Sequence, residues 1–142
     1  MKKGNDEDIE NIKISKGEES NFVWSIFYSL LEQVVSVLNV PEKSDRETDK
    51  LNQLEYIFID DPVTSLDDNH LIQMSVNLST VIRKSESGLK FIITTHSPLF
   101  YNVLYNELNI KKKKSGFMLG KNEDGSYELD TKFGDSNENF AC

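Results

Sequence analysis

Four short stretches of this sequence carry side chains that could do chemistry. The first is Phe58-Ile59-Asp60-Asp61-Pro62, an apolar run ending in two carboxylates. A strand that delivers a carboxylate at its C-terminal end can hold hydrated Mg²⁺ against nucleotide phosphates. A second carboxylate beside it can orient or deprotonate an attacking water. Acid pairs at strand ends also form turns and cap helices, so this fragment alone supports both readings. The second stretch is Ser65-Leu66-Asp67-Asp68-Asn69-His70. Here Ser65 or Asp67 is placed to cap the helix that follows, and Asp68 favours its positive end. The third, Thr95-His96-Ser97-Pro98, sets a histidine between hydroxyls, where it could donate to a phosphate or polarise a water. A lone histidine is more often simply a satisfied polar residue. The fourth, Ile14-Ser15-Lys16-Gly17-Glu18-Glu19-Ser20, puts small residues ahead of an aromatic-rich run, and free N–H groups at a helix start attract anions. Such turns are common and mean little singly.

The elements that must position these residues follow from periodicity. Phe22, Ile26, Leu30, Leu31, Val34, Val37 and Leu38 recur at three- and four-residue spacing and predict a helix over Phe22–Leu38. Ser20 is one N-cap for it, and onset as early as Ser15 is the other. Tyr56–Asp60 and Leu89–Thr95 read as short buried-type strands. Asp68–Lys84 is amphipathic, and Pro98 at a first helical position opens a helix to about Glu107. Phe117–Leu119 and Tyr127–Leu129 flank Asp124-Gly125 and predict a hairpin. The middle order is helix, strand, helix, strand, helix, which implies an α/β fold with parallel strands flanked by helices. Ligands in such sheets sit beyond the carboxyl ends of the strands. Asp60-Asp61 and Thr95-His96-Ser97 therefore converge at one edge.

Residues 1–13 read as a polar, frayed start, 14–110 as the main body, 111–130 as a basic loop with the hairpin, and 131–142 as a tail. The stretch 40–53, opened by Pro41, reads as a charged surface loop. The chain has 142 residues and a formal net charge of −8, which argues against coating nucleic acid by bulk electrostatics. The single cysteine, Cys142, excludes an internal disulfide and a Cys-based zinc cluster. No apolar core follows the first lysines, so no signal peptide is read. Polar residues at Ser25, Ser29, Glu32, Gln33 and Ser36 break the longest apolar stretch, which argues against a membrane span. The expectation is a reduced, cytoplasmic domain with no membrane partner.

Order and combination sharpen the reading. A Ser-x-Gly-Glu turn entering a helix, then an apolar run ending in Asp-Asp-Pro, then Ser-Leu-Asp, then a strand ending in Thr-Thr-His-Ser, resembles the C-terminal half of an ABC-type ATPase head. The SMC-like branch is the most similar, including the AAA-family ATPases of phage defence and of RloC/PrrC-like anticodon nucleases. The resemblance covers about Lys13 to Tyr101. It implies that Ile14–Glu18 stands at the signature motif, a nucleotide-binding turn of Ser15, Lys16, Gly17 and Glu18 in which Ser15 and Gly17 touch the γ-phosphate of ATP held by the opposite head and the Lys16 ammonium could add a phosphate contact or crowd the turn. Asp60 matches the Walker B aspartate that holds Mg²⁺ through water. Asp61 stands where most members have the catalytic glutamate, Ser65 and Asp67 lie in the D-loop, and His96 matches the switch histidine. Lys16 replaces the usual glycine, and Asp61 is one methylene shorter than glutamate. ATP, Mg²⁺ and a second ATPase head are the implied partners, with DNA or tRNA reached through a longer assembly.

The phosphate-binding loop is missing. Gly-x4-Gly-Lys-Ser/Thr needs two glycines five apart, followed by lysine and a hydroxyl. Gly120 and Gly125 have the spacing but are followed by Ser126-Tyr127, and they lie after the Walker B aspartate. ATP hydrolysis thus requires a P-loop lobe supplied upstream or by a partner, and the chain reads as part of a longer ATPase. The competing reading is a non-catalytic interaction module, with the acids as caps and His96 structural. A two-metal nuclease on Asp60, Asp61, Asp67 and Asp68 would need acids on further strand ends, and Leu89–Thr95 offers only histidine. Lys111–Lys114 could contact DNA or tRNA, although a solvated loop is the simpler reading.

Overall fold

The computed structural model describes residues 15–62, 66–113 and 115–131. Ser15 opens the first helix, α1 (Lys16–Leu38), through a capping box. Its hydroxyl accepts from the Glu18 N–H at 3.2 Å, and the Glu18 carboxylate accepts from the Ser15 N–H at 2.9 Å. The earlier of the two expected onsets is therefore the one adopted, because this reciprocal pair satisfies two helix-start donors that Ser20 would leave open. The first half of α1 leaves Phe22, Val23, Ile26 and Leu30 exposed, while Leu31, Val35, Val37 and Leu38 are buried. By length and mean hydropathy alone α1 could cross a bilayer. Its C-terminal half instead packs into the core, as an amphipathic core helix does.

Beyond α1 the charged stretch forms a surface excursion with one short 3₁₀ turn, Lys43–Asp45. Arg46 anchors it, donating to the carbonyls of Val40 and Leu38 and to Asn52. Strand β1 (Tyr56–Asp60) then leads to α2 (Asp68–Lys84), β2 (Lys90–Thr94) and α3 (Pro98–Glu107). Asp67 caps α2 and Ser97 caps α3, with Pro98 in the first turn where its missing N–H is harmless. Lys111–Lys113, expected as loop, belong instead to a single-turn helix, α4 (Ile110–Lys113). Strands β3 (Phe117–Lys121) and β4 (Tyr127–Thr131) form the expected antiparallel hairpin, each running two residues further at its C-terminal end than the apolar residues mark. Gly125 at its turn has φ +86°, a conformation glycine adopts without strain.

Strands β1 and β2 pair in parallel, with Tyr56 opposite Lys90, Phe58 opposite Ile92 and Asp60 opposite Thr94. Ile59 is buried in the helical core, and Ile57, Phe91 and Ile93 pack against it. Leu78 and Phe100 sit at its centre with no exposure. The buried hydroxyls of Ser75 and Ser79 are satisfied inside α2, donating to the carbonyls four residues back at 2.7 and 2.8 Å. Asn39 ties the end of α1 to the end of α2, donating to the Lys84 carbonyl and accepting from the Glu86 N–H. Arg83 binds both the backbone and the carboxylate of Glu107, joining α2 to α3. Among the described residues nothing covers the other face of the sheet: Phe58 is 60% exposed and Ile92 48%, where parallel sheets ordinarily bury both faces.

The core and the caps give two expected outcomes. Phe100→Ala should lower the unfolding free energy in a urea titration by about 3–5 kcal/mol, and Ile92→Ala on the open face by under about 1 kcal/mol. Equal losses would contradict the placement of the core. The caps carry a pH dependence. The Ser15 backbone and hydroxyl hold Glu18 below the ordinary carboxylate range, and the His70 N–H and ring do the same for Asp67. A lowered folded pKa means that the unfolded chain binds more protons in that window. The caps' contribution is thus full above the ordinary carboxylate range and is lost as pH falls through the lowered folded values. Asp67→Asn keeps a good N-cap without the titrating proton. Helical circular dichroism of this variant should fall less steeply on acidification, and superimposable acid curves would contradict the assignment.

Candidate functional site

The in-register pairing of β1 and β2 brings both carboxylates and the histidine to one strand-end edge. Asp60 closes β1 on the uncovered face. Directly across the ladder, the Thr94 hydroxyl donates to Asp60 Oδ1 at 2.5 Å. Asp61 continues the ladder by one bond, its N–H donating to the Thr94 carbonyl at 3.0 Å. The same N–H lies 3.3 Å from the Thr94 hydroxyl oxygen. Asp61 has φ +41°, in the left-handed region that aspartate tolerates better than most residues. That turn aims its carboxylate at the loop after β2, where it accepts from the His96 N–H at 3.2 Å and the Thr95 hydroxyl at 3.5 Å.

The His96 ring completes the group. Its Nδ1 lies 3.1 Å from Asp61 Oδ2. The two side chains differ sharply in access, at 93% exposed for His96 and 28% for Asp61. When Nδ1 carries the proton toward Asp61, Nε2 faces solvent as an acceptor. A carboxylate that orients an exposed imidazole can fix its tautomer and place a water beside it. Oxygen donors of this type suit a hard cation, and Mg²⁺ usually keeps several waters and takes one or two carboxylates plus substrate phosphates. Asp60 fits that demand. Among the described residues no group of three or more His, Cys, Asp or Glu side chains could hold a metal. The described side chains thus offer no protein-only cage for an ion.

The other expected site residues form separate groups. Ser15 and Glu18 are engaged with each other, and Lys16 and Gly17 occupy the first turn of α1. Asp67 gives one carboxylate oxygen to the His70 N–H at 3.0 Å and the other to His70 Nδ1 at 2.7 Å, so its observed work is capping α2. Ser65, Ile14, Lys114 and the tail beyond Thr131 lie outside the described residues.

Sequence reasoning missed Thr94. Thr95 and Ser97 flank His96, whereas Thr94 reads along the chain as a β-forming residue. The expected strand Leu89–Thr95 is one residue shorter at each end in the structure, and only the observed register sets Thr94 against Asp60. His70 was noticed only as part of a cap stretch, and its ring contact with Asp67 needs the helical turn to be seen.

The chain is 61% identical over 141 residues to a protein of Escherichia coli named anticodon nuclease. The match takes in 99% of this chain and spans 35% of that protein's length. No solved structure gives a significant match. The family model described as AAA domain matches residues 2–141, and the chain belongs to that AAA domain family.

Proposed function

We propose that this chain supplies the metal-holding and γ-phosphate-sensing part of an ATP site in a nucleic-acid-linked defence ATPase. The observation that carries the reading is the strand-end group, with Asp60, Asp61 and His96 held together by Thr94 and Thr95 at the carboxyl ends of adjacent parallel strands. Membership in the AAA domain family supports nucleotide chemistry, and the relative's name supports a link to an anticodon-cleaving assembly. Because the chain spans only 35% of that relative, the activity belongs to a longer protein or complex.

In this reading Asp60 holds Mg²⁺ through water, and the ion, when bound, neutralises charge on the β- and γ-phosphates. Asp61 and His96 act as a pair. The carboxylate fixes the imidazole, whose Nε2 reaches toward the γ-phosphate or its attacking water. The α1 start presents the N–H groups of Lys16 and Gly17 as an anion site for ATP held by a second head. Ser15 and Glu18 shape that turn through the capping box, and Glu18 keeps a negative charge there. Asp67 caps α2. A P-loop segment must complete the site, and the uncovered sheet face with Phe58 and Ile92 is where further structure is needed. The relative's name, anticodon nuclease, favours tRNA over DNA as the nucleic acid linked to this ATPase.

The assembly containing the P-loop segment should bind ATP with Mg²⁺ and hydrolyse it. Asp60→Ala is expected to reduce turnover by about 100-fold or more, as loss of a charge-organising group at a phosphoryl centre does. Unchanged turnover in Asp60→Ala would overturn the reading. Absence of any nucleotide signal from the complete assembly would favour a non-catalytic interaction module, in which the acids serve only as caps.

A further inference from the structure

We propose that Thr94 is a positioning residue for Asp60, fixing which carboxylate oxygen is offered to a hydrated divalent cation; this rests on the reading of Asp60 given above. Thr94 and Asp60 are direct partners in the parallel ladder, so both side chains leave the sheet on its uncovered face. A threonine hydroxyl has one proton and two acceptor sites. The proton goes to Asp60 Oδ1 at 2.5 Å, and the oxygen lies 3.3 Å from the Asp61 N–H. One hydroxyl therefore bridges the side chain of the first acid and the backbone of the second. Branching at Cβ restricts its χ1, so the hydroxyl arrives already aimed.

The consequence is a division of Asp60 into two unlike oxygens. Oδ1 is engaged by a neutral donor inside the protein, which leaves Oδ2 to accept from water on a cation. Beside the nucleotide phosphates, the ion meets this strand-end group through a single carboxylate and its own waters. The orientation of that one carboxylate then sets what the group adds to the hold, and partners behind a metal-holding group commonly matter by about 10–100-fold in metal affinity. Thr95 has different partners. Its hydroxyl reaches Asp61 at 3.5 Å and also accepts from the Ser97 N–H at 3.0 Å, so it serves the histidine turn. The two threonines thus share out the two acids.

The test is Mn²⁺ affinity, read by electron paramagnetic resonance, in the assembly containing the P-loop segment with a non-hydrolysable ATP analogue present. Thr94→Val keeps shape and strand preference but removes the hydroxyl, and is expected to weaken Mn²⁺ by about 10-fold or more. Thr94→Ser restores the donor and should lie within about 2-fold of the wild type, as should Thr95→Val. Nucleotide affinity without metal should not change in any of them. Should Thr94→Val lose its far-UV circular dichroism, Thr94→Ala carries the same measurement. If the hydroxyl-free variants bind Mn²⁺ normally while Asp60→Ala does not, the proposal is overturned and the metal role of Asp60 stands. If Asp60→Ala also binds normally, both are overturned together. Equal weakening in Thr94→Ser and Thr94→Val would likewise overturn it, since strand packing and not the hydroxyl would then be responsible.

Discussion

The parallel pairing of β1 with β2 is the constraint on which the rest of the structure depends. It sets Asp60 opposite Thr94, extends one bond further through the Asp61 N–H, and delivers Thr95 and His96 beside the second carboxylate. A slip of one residue would send every side chain to the other face. Ile57 and Ile59 would leave the helical core, and Asp60 would turn toward it. Burial of Ile59 among Leu71, Met74, Leu78 and Phe100 therefore fixes the register, and the register fixes the chemistry.

The same constraint separates two kinds of acid in this chain. Asp67 and Glu18 spend their carboxylates on helix starts, where local N–H donors keep them ionised. Asp60 and Asp61 lie at strand ends, and the groups they hold are hydroxyls, a backbone N–H and an exposed ring. That distinction sets Asp60 and Asp61 apart from Asp67, whose carboxylate caps α2. The uncovered sheet face matters in the same way. Asp60 sits at the end of a surface that carries Phe58 and Ile92, so whatever covers those side chains also approaches the carboxylate.

Much of this was legible from residue types. The α2 bounds, β1 and the start of α3 follow from periodicity, Asp67, Pro98 and the carboxylate ending of Phe58-Ile59-Asp60, and all three hold in the structure. Convergence of Asp60, Asp61 and His96 was legible too, because parallel strands put their ends together. The onset of α1 was ambiguous, since Ser15 and Ser20 both suit an N-cap and only the reciprocal bond with Glu18 decides between them. Thr94 was not legible. Its value comes from cross-strand register and not from any pattern along the chain. The left-handed turn at Asp61, which swings its carboxylate toward His96, has no sequence signal apart from the tolerance of aspartate for that region.

The central claim is that a nucleotide-bound cation sits at the ends of β1 and β2. The most direct measurement is paramagnetic broadening of backbone amide signals by Mn²⁺ with an ATP analogue, in the assembly containing the P-loop segment. The account expects the amides of Asp61, Thr95 and His96 to broaden strongly, while Gly125 at the hairpin turn stays sharp. Sharp signals at the strand ends under saturating nucleotide and Mn²⁺ would contradict it. So would broadening that follows exposed acids across the surface without preference for that edge.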